Sequence, residues 1–156
     1  MRKPGNPCLV VAGWCSVSIA ALHVAIILGG GDWYRFVGAG KNMAAMAENG
    51  SWIPMGLTLT IILIFLMFGL YAFSGAGYVR SLPFTKAALV VTSCVYLTRG
   101  IGSIPVIVFV EHPYLADMTT RIVFVFVSSV LSLIIGVLYG IGTLALWANG
   151  AGGKGP

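Results

Sequence analysis

Charge is the scarcest property of this chain. Of its 156 residues nine are Lys or Arg and four are Asp or Glu, against about a quarter charged in an ordinary soluble domain. None of the four acids falls inside an apolar run, which removes the intramembrane carboxylate that proton-coupled transport and most acid–base catalysis require. The chain also lacks an HExxH motif, a Ser, His, Asp constellation at usable spacing, and a phosphate-cradling glycine loop. "RGIGS" and "GGGDW" are rich in glycine but lack a strand and helix around them, and read as helix breakers.

The two histidines and three cysteines are equally uninformative as chemistry. His23 lies about 10 Å below one end of its apolar run, whereas His112 lies beyond another, so no metal or haem is expected between them. Cys8, Cys15 and Cys94 form no closely spaced reactive pair and read as reduced packing residues. The expectation is no cofactor, no metal and no assigned catalytic residue, which leans away from an enzyme.

Long polar stretches are missing too, which excludes a sizeable module outside the membrane. What remains is 58% hydrophobic with a mean hydropathy of +0.97, the composition of an integral membrane protein. Runs of roughly 20 apolar residues, enough to cross about 30 Å of hydrocarbon, occur at about 9–30, 53–73, 84–110 and 122–148. They are continuous, not alternating, which favours helices over barrel strands. The fold expected is therefore an all-α membrane protein, one domain over 1–156, built as an antiparallel four-helix transmembrane bundle with an amphipathic outer loop between the first and second helices. The start "MRKPGNPCLVVAGWCSVSIA" has features of a signal peptide, but the apolar run continues to Gly30, so it is read as the first span.

With four spans, Arg2, Lys3, Arg80, Lys86 and Lys154 share one side without an acid, while Asp32, Glu48, Glu111 and Asp117 share the other with Arg35, Lys41 and Arg121. The positive-inside rule puts both termini in the cytoplasm of a multi-pass inner-membrane protein. The net charge of +5 then reflects topology and lipid contact, not nucleic acid. On the outer side "KNMAAMAEN" is expected to form a short helix with Met43, Ala44, Met46 and Ala47 toward the membrane, and Trp33, Tyr34 and Trp52 suit the headgroup layer.

One basic residue, Arg99, stands inside a span. Its insertion costs at least about 2.5 kcal/mol, so it must find partners. Thr92, Tyr96, Arg99 and Ser103 follow at helical spacing on one polar face, and Val91, Val95 and Ile101 lie elsewhere. Gly100, Gly102 and Pro105 predict a kink or local unwinding. Ser16, Ala20, His23 and Ile27 share a face of the first helix. If the two faces meet, Arg99, His23, Tyr96 and Ser103 form a candidate site for a lipid-like or quinone-like ligand; the bland alternative is an arginine satisfied by carbonyls, hydroxyls and water. Ser128, Ser132, Gly136 and Gly140, at intervals of four, form a small-residue seam for close helix packing.

The stretch "AALHVAIILGGGDWYRF", with four spans in about 150 residues, resembles uncharacterised small inner-membrane proteins of bacteria, a resemblance in layout that implies no activity. The membrane glutathione-transferase and leukotriene-synthase group shares the layout, but its polar pattern around the second helix is not reproduced by "KNMAAMAENGSWIP". The function expected is a non-catalytic binding or accessory protein whose partners are membrane lipids, a second copy or a larger membrane protein. The competing reading is a small transporter or membrane enzyme using His23 and Arg99.

Overall fold

The structure, a computed structural model, describes the backbone of residues 5–109 and 115–151 and the side chains of residues 5–102 and 123–148. Every regular element among them is helical: α1 (Pro7–Phe36), α2 (Lys41–Glu48), α3 (Trp52–Gly75), α4 (Thr85–Phe109) and α5 (Leu115–Ala151). Three described segments, Pro7–Phe36, Trp52–Gly75 and Val123–Ala148, are long and apolar enough to cross a membrane. The chain is thus compatible with a multi-pass membrane protein.

The long helices pair in chain order, α1 on α3 and α4 on α5. The two pairs are joined by contacts of α1 with α5 and α3 with α4, and α2 lies across α1 and α3. Between apolar helices in lipid there is no hydrophobic drive, so close approach and interhelical hydrogen bonds hold the packing. On α3, Gly69 is buried with the Gly13 carbonyl of α1 3.3 Å from where its Cβ would stand. On α5, a Cβ at Gly136 would stand 3.0 Å from the backbone nitrogen of Leu97, and the Gly136 carbonyl accepts a 2.7 Å hydrogen bond from Ser93 of α4. The outward sides carry the large apolar residues: Leu63 is 63% exposed and Leu144 61%, as expected of a surface solvated by lipid.

The first expected span ends at Gly30, but α1 continues to Phe36. The chain breaks its helical path at Gly30, with φ 64° and ψ −150°, and then resumes the helix. This backbone region is accessible essentially to glycine alone. Across Arg99–Pro105 the backbone keeps helical hydrogen bonding, with α4 continuous over 85–109. Helix α2 forms where expected, but Ala44 is fully buried against Ile26 and Tyr34. The apolar side of α2 packs on protein because the kink folds the end of α1 beneath it.

At the opposite end Asn6 caps α1 and donates from its amide to the carbonyl of Gly142 at 2.7 Å. The α3–α4 connection is organised by Ser74, whose hydroxyl accepts from the Leu82 amide at 3.0 Å.

Candidate functional site

Two clusters of polar residues form on the long helices. The inner one is a chain of hydroxyls. Ser16 of α1 lies 2.9 Å from the Tyr96 hydroxyl of α4 and 2.8 Å from the Tyr139 hydroxyl of α5. Tyr139 also donates to the Phe68 carbonyl of α3 at 3.1 Å, so all four long helices meet here. Ser16 is fully buried, as is Tyr139, and Tyr96 is 3% exposed.

Three hydroxyls bring three protons to four contacts, so each arrangement leaves one contact without a proton. Tyr96 can donate to Ser16, Ser16 to Tyr139 and Tyr139 to Phe68; alternatively Ser16 donates to the Ala12 carbonyl, 3.1 Å away, and both tyrosines donate to Ser16. Either leaves no donor orphaned, and among the described residues no buried side-chain nitrogen or oxygen lacks a partner. The tyrosine rings stack 5.7 Å apart, and Phe65 and Phe68 pack on Tyr96 at 6.0 and 5.9 Å between centroids. The aromatic wall keeps the dielectric low, which strengthens the chain and makes any missing member costly.

The second place is outward. Arg99 is exposed on α4, and its Nη2 donates to the Ser128 hydroxyl of α5 at 3.5 Å. Ser128 in turn donates to the Val125 carbonyl at 3.0 Å. Val95, one turn before Arg99 on α4, is 47% exposed, and Thr98, next to Arg99 in the chain, is exposed as well.

His23 belongs to neither place. Its Nδ1 donates to the Ile19 carbonyl at 2.8 Å, which fixes the tautomer and leaves Nε2 as the second nitrogen. Its ring packs 5.4 Å from Phe65. His23 and Tyr96 thus share Phe65, while no contact joins His23 to Arg99. Thr92 is buried and donates to the Ala88 carbonyl. The side chain of Ser103 and all of His112 lie outside the described residues. In the α4–α5 seam, Gly136 touches Leu97 and Gly140 faces the Ser93 hydroxyl, whereas Ser128 reaches Arg99 and Ser132 donates to the Ser128 carbonyl of its own helix. Cys8, Cys15 and Cys94 are free thiols.

Two participants were not foreseen from sequence. Tyr139 sits in the apolar run "GVLYGIG", where an aromatic reads as lipid-facing; its spacing of three from Gly136 puts it on the seam side and was the available signal. The other is the ion pairing at the α2 end. Arg35 holds Glu48 through both guanidinium nitrogens, one contact being 2.8 Å, and reaches Asp32 at 3.2 Å. Nearby, Tyr34 donates to the Thr58 hydroxyl at 2.9 Å.

The fold and these sites define a class: a helical protein compatible with repeated membrane crossing, in which every buried polar side chain among the described residues has a hydrogen-bond partner. Comparisons of the chain with family models, curated proteins and solved structures found no match.

Proposed function

We propose that the chain is a four-crossing inner-membrane protein, both termini cytoplasmic, which binds a lipid-like or quinone-like molecule without transforming it, alone or as an accessory subunit of a larger assembly. The observation that carries this reading is the exposed guanidinium of Arg99 beside Ser128, one turn along α4 from the exposed Val95. A ligand carboxylate, phosphate or carbonyl at that depth offers a charge-assisted hydrogen bond where lipid tails offer nothing. Its hydrocarbon part would lie along Val95, one turn before Arg99 on the same helix and 47% exposed.

Binding is preferred to catalysis because Tyr96 and His23 are engaged within the protein. The Tyr96 hydroxyl is bonded to Ser16, and His23 Nδ1 to its own helix. The orientation rests on the five basic residues of the N-terminal tail, the second connection and the C-terminal tail.

Native mass spectrometry of protein purified in mild detergent tests the reading. The wild type should retain a co-purified lipid-like molecule. Arg99→Gln should lose at least about tenfold of that retention, the scale of one charge-assisted bond, and Arg99→Lys should keep part of it. Equal retention by Arg99→Gln, with unchanged helicity, would reject the site.

A further inference from the structure

The connection from α3 to α4, residues 76–84, lies at the opposite end of the long helices from α2 and is held in shape by two hydroxyls. Ser74 donates to the Arg80 carbonyl at 3.2 Å and accepts from the Leu82 amide. Thr85 donates to the Leu82 carbonyl at 2.7 Å.

One residue of this turn holds a conformation that its side chain opposes. Phe84 has φ 57°, where a Cβ crowds the backbone and a bulky residue is a genuine outlier. Elsewhere among the described residues every positive φ belongs to a glycine, Gly77 of the same turn included. The Phe84 side chain is 84% exposed, so contacts inside the protein do not offset that cost. Tyr78, on the same connection, is 71% exposed.

Two cations accompany these rings. Arg80 and Lys86 are exposed, and neither side chain is hydrogen-bonded or ion-paired to a described residue. The described acids, Asp32 and Glu48, stand at the α2 end with Arg35, and the first turn of α4 has no acid. Nothing described at this turn therefore cancels the two positive charges. Gly5 packs against Tyr78, a Cβ there standing 2.9 Å from the ring, and the sequence just before Gly5 adds Arg2 and Lys3.

We infer that this turn docks an anionic phospholipid of the surrounding bilayer, with Arg80 and Lys86 on its phosphate and Phe84 and Tyr78 among its glycerol and upper acyl carbons. Unpaired cations draw anionic headgroups out of a zwitterionic mixture, and guanidinium and ammonium groups make charge-assisted hydrogen bonds to phosphate oxygens. Aromatic rings beside them suit the headgroup layer, and contact with lipid is what the strained Phe84 gains. A soluble polyanion would match the charges but leave both rings in water. The site is separate from Arg99, and rests on the proposed function only in requiring a bilayer.

The test is native mass spectrometry of the full chain in mild detergent, offered phosphatidylglycerol and phosphatidylcholine of the same chains in equal amounts. The wild type should retain phosphatidylglycerol in excess. Arg80→Gln combined with Lys86→Gln should cut that excess at least about tenfold, each basic residue near an anionic surface being worth about fivefold. Lys41→Gln, which removes an exposed charge at the α2 end, should change it by less than about twofold, because the length of α3 exceeds the reach of a screened charge. Phe84→Asn should lower the phosphatidylglycerol retained about threefold, less than full burial of a phenyl ring is worth, and asparagine tolerates the backbone conformation.

An excess that survives the double variant overturns the inference. So does an equal loss in Lys41→Gln, which would make the excess a matter of net charge, and so does full retention by Phe84→Asn. Inorganic phosphate at the lipid's concentration should leave the lipid bound; complete displacement would assign the turn to a soluble anion and overturn the inference. If the double variant loses its helicity, Arg80→Gln and Lys86→Gln decide singly, each expected to lose about fivefold, and no loss in either overturns the inference. Arg99→Gln should leave the loss caused by the double variant unchanged, so failure of the Arg99 site and failure of this one are read separately.

Discussion

The middle of the molecule and its α2 end solve the same problem in opposite ways. In the middle, Ser16, Tyr96 and Tyr139 are neutral, buried and bonded to one another across helices. At the α2 end, Arg35, Asp32 and Glu48 are charged, substantially exposed and paired at a surface. Burying a charge costs far more than burying a hydroxyl, so charge stays where water or headgroups reach it. The contrast extends to glycine. In the middle Gly136 permits contact between helices; at the α2 end Gly30 permits a backbone turn.

The largest effect should come from forcing the middle apart. Gly136→Val would drive its side chain into the backbone of Leu97, and overpacking of this kind costs about 3 kcal/mol. Unfolding of purified protein in mixed micelles should show it, with cysteine crosslinking between α4 and α5 lost. Full stability in this variant would mean that the two helices are not in close contact.

Gly30→Ala should cost about 2 kcal/mol, because alanine does not adopt the glycine-only conformation there. The loss should be local: hydrogen exchange should accelerate in α2 and the start of α3, while α4 and α5 keep their protection. Uniform acceleration would erase the distinction between the two regions.

Within the hydroxyl chain, Ser16→Ala should cost about 1 kcal/mol, the usual range for an interhelical hydrogen bond in a membrane. Tyr139→Phe should exceed Tyr96→Phe in the same unfolding assay, since Tyr139 bonds both Ser16 and Phe68 whereas Tyr96 bonds Ser16. The reverse order would place the weight of the chain on α4.

The smallest effect belongs to the exposed ion pair. Glu48→Gln should change stability by less than about 0.5 kcal/mol, and added salt should shrink even that. A larger, salt-resistant loss would show that the pair is shielded from solvent.

The helices were legible in the sequence because continuous apolar runs have one economical backbone solution in lipid. Even the range 84–110, interrupted by Arg99, Gly100, Gly102 and Pro105, is occupied by a helix over Thr85–Phe109. The continuation past Gly30 was not legible: three consecutive glycines announce a break, but not that Asp32–Phe36 resumes the helix. The side of α2 was misread for a related reason. Periodicity identifies which residues share a face; what that face meets depends on the kink. At the candidate site, Ser16 and Tyr96 meet, but Arg99, read as sharing the face of Tyr96, is exposed, and Tyr139, the partner that Ser16 and Tyr96 share, was hidden in an apolar run where pattern does not separate lipid-facing from buried aromatics.

The two proton arrangements around Ser16 bear on how the chain is made. Synthesis delivers α1 and α3 before Tyr96 and Tyr139 exist, so the Ser16 hydroxyl enters its apolar surroundings without either tyrosine. The Ala12 carbonyl, one turn back on the same helix, gives it a home from the outset. When α5 arrives, a single rotation about the serine Cβ–Oγ bond passes that proton to Tyr139, exchanging a bond within one helix for a bond between the first helix and the last. The serine therefore serves the unfinished chain and the finished one with the same atom, giving up a contact inside one helix for a contact between helices.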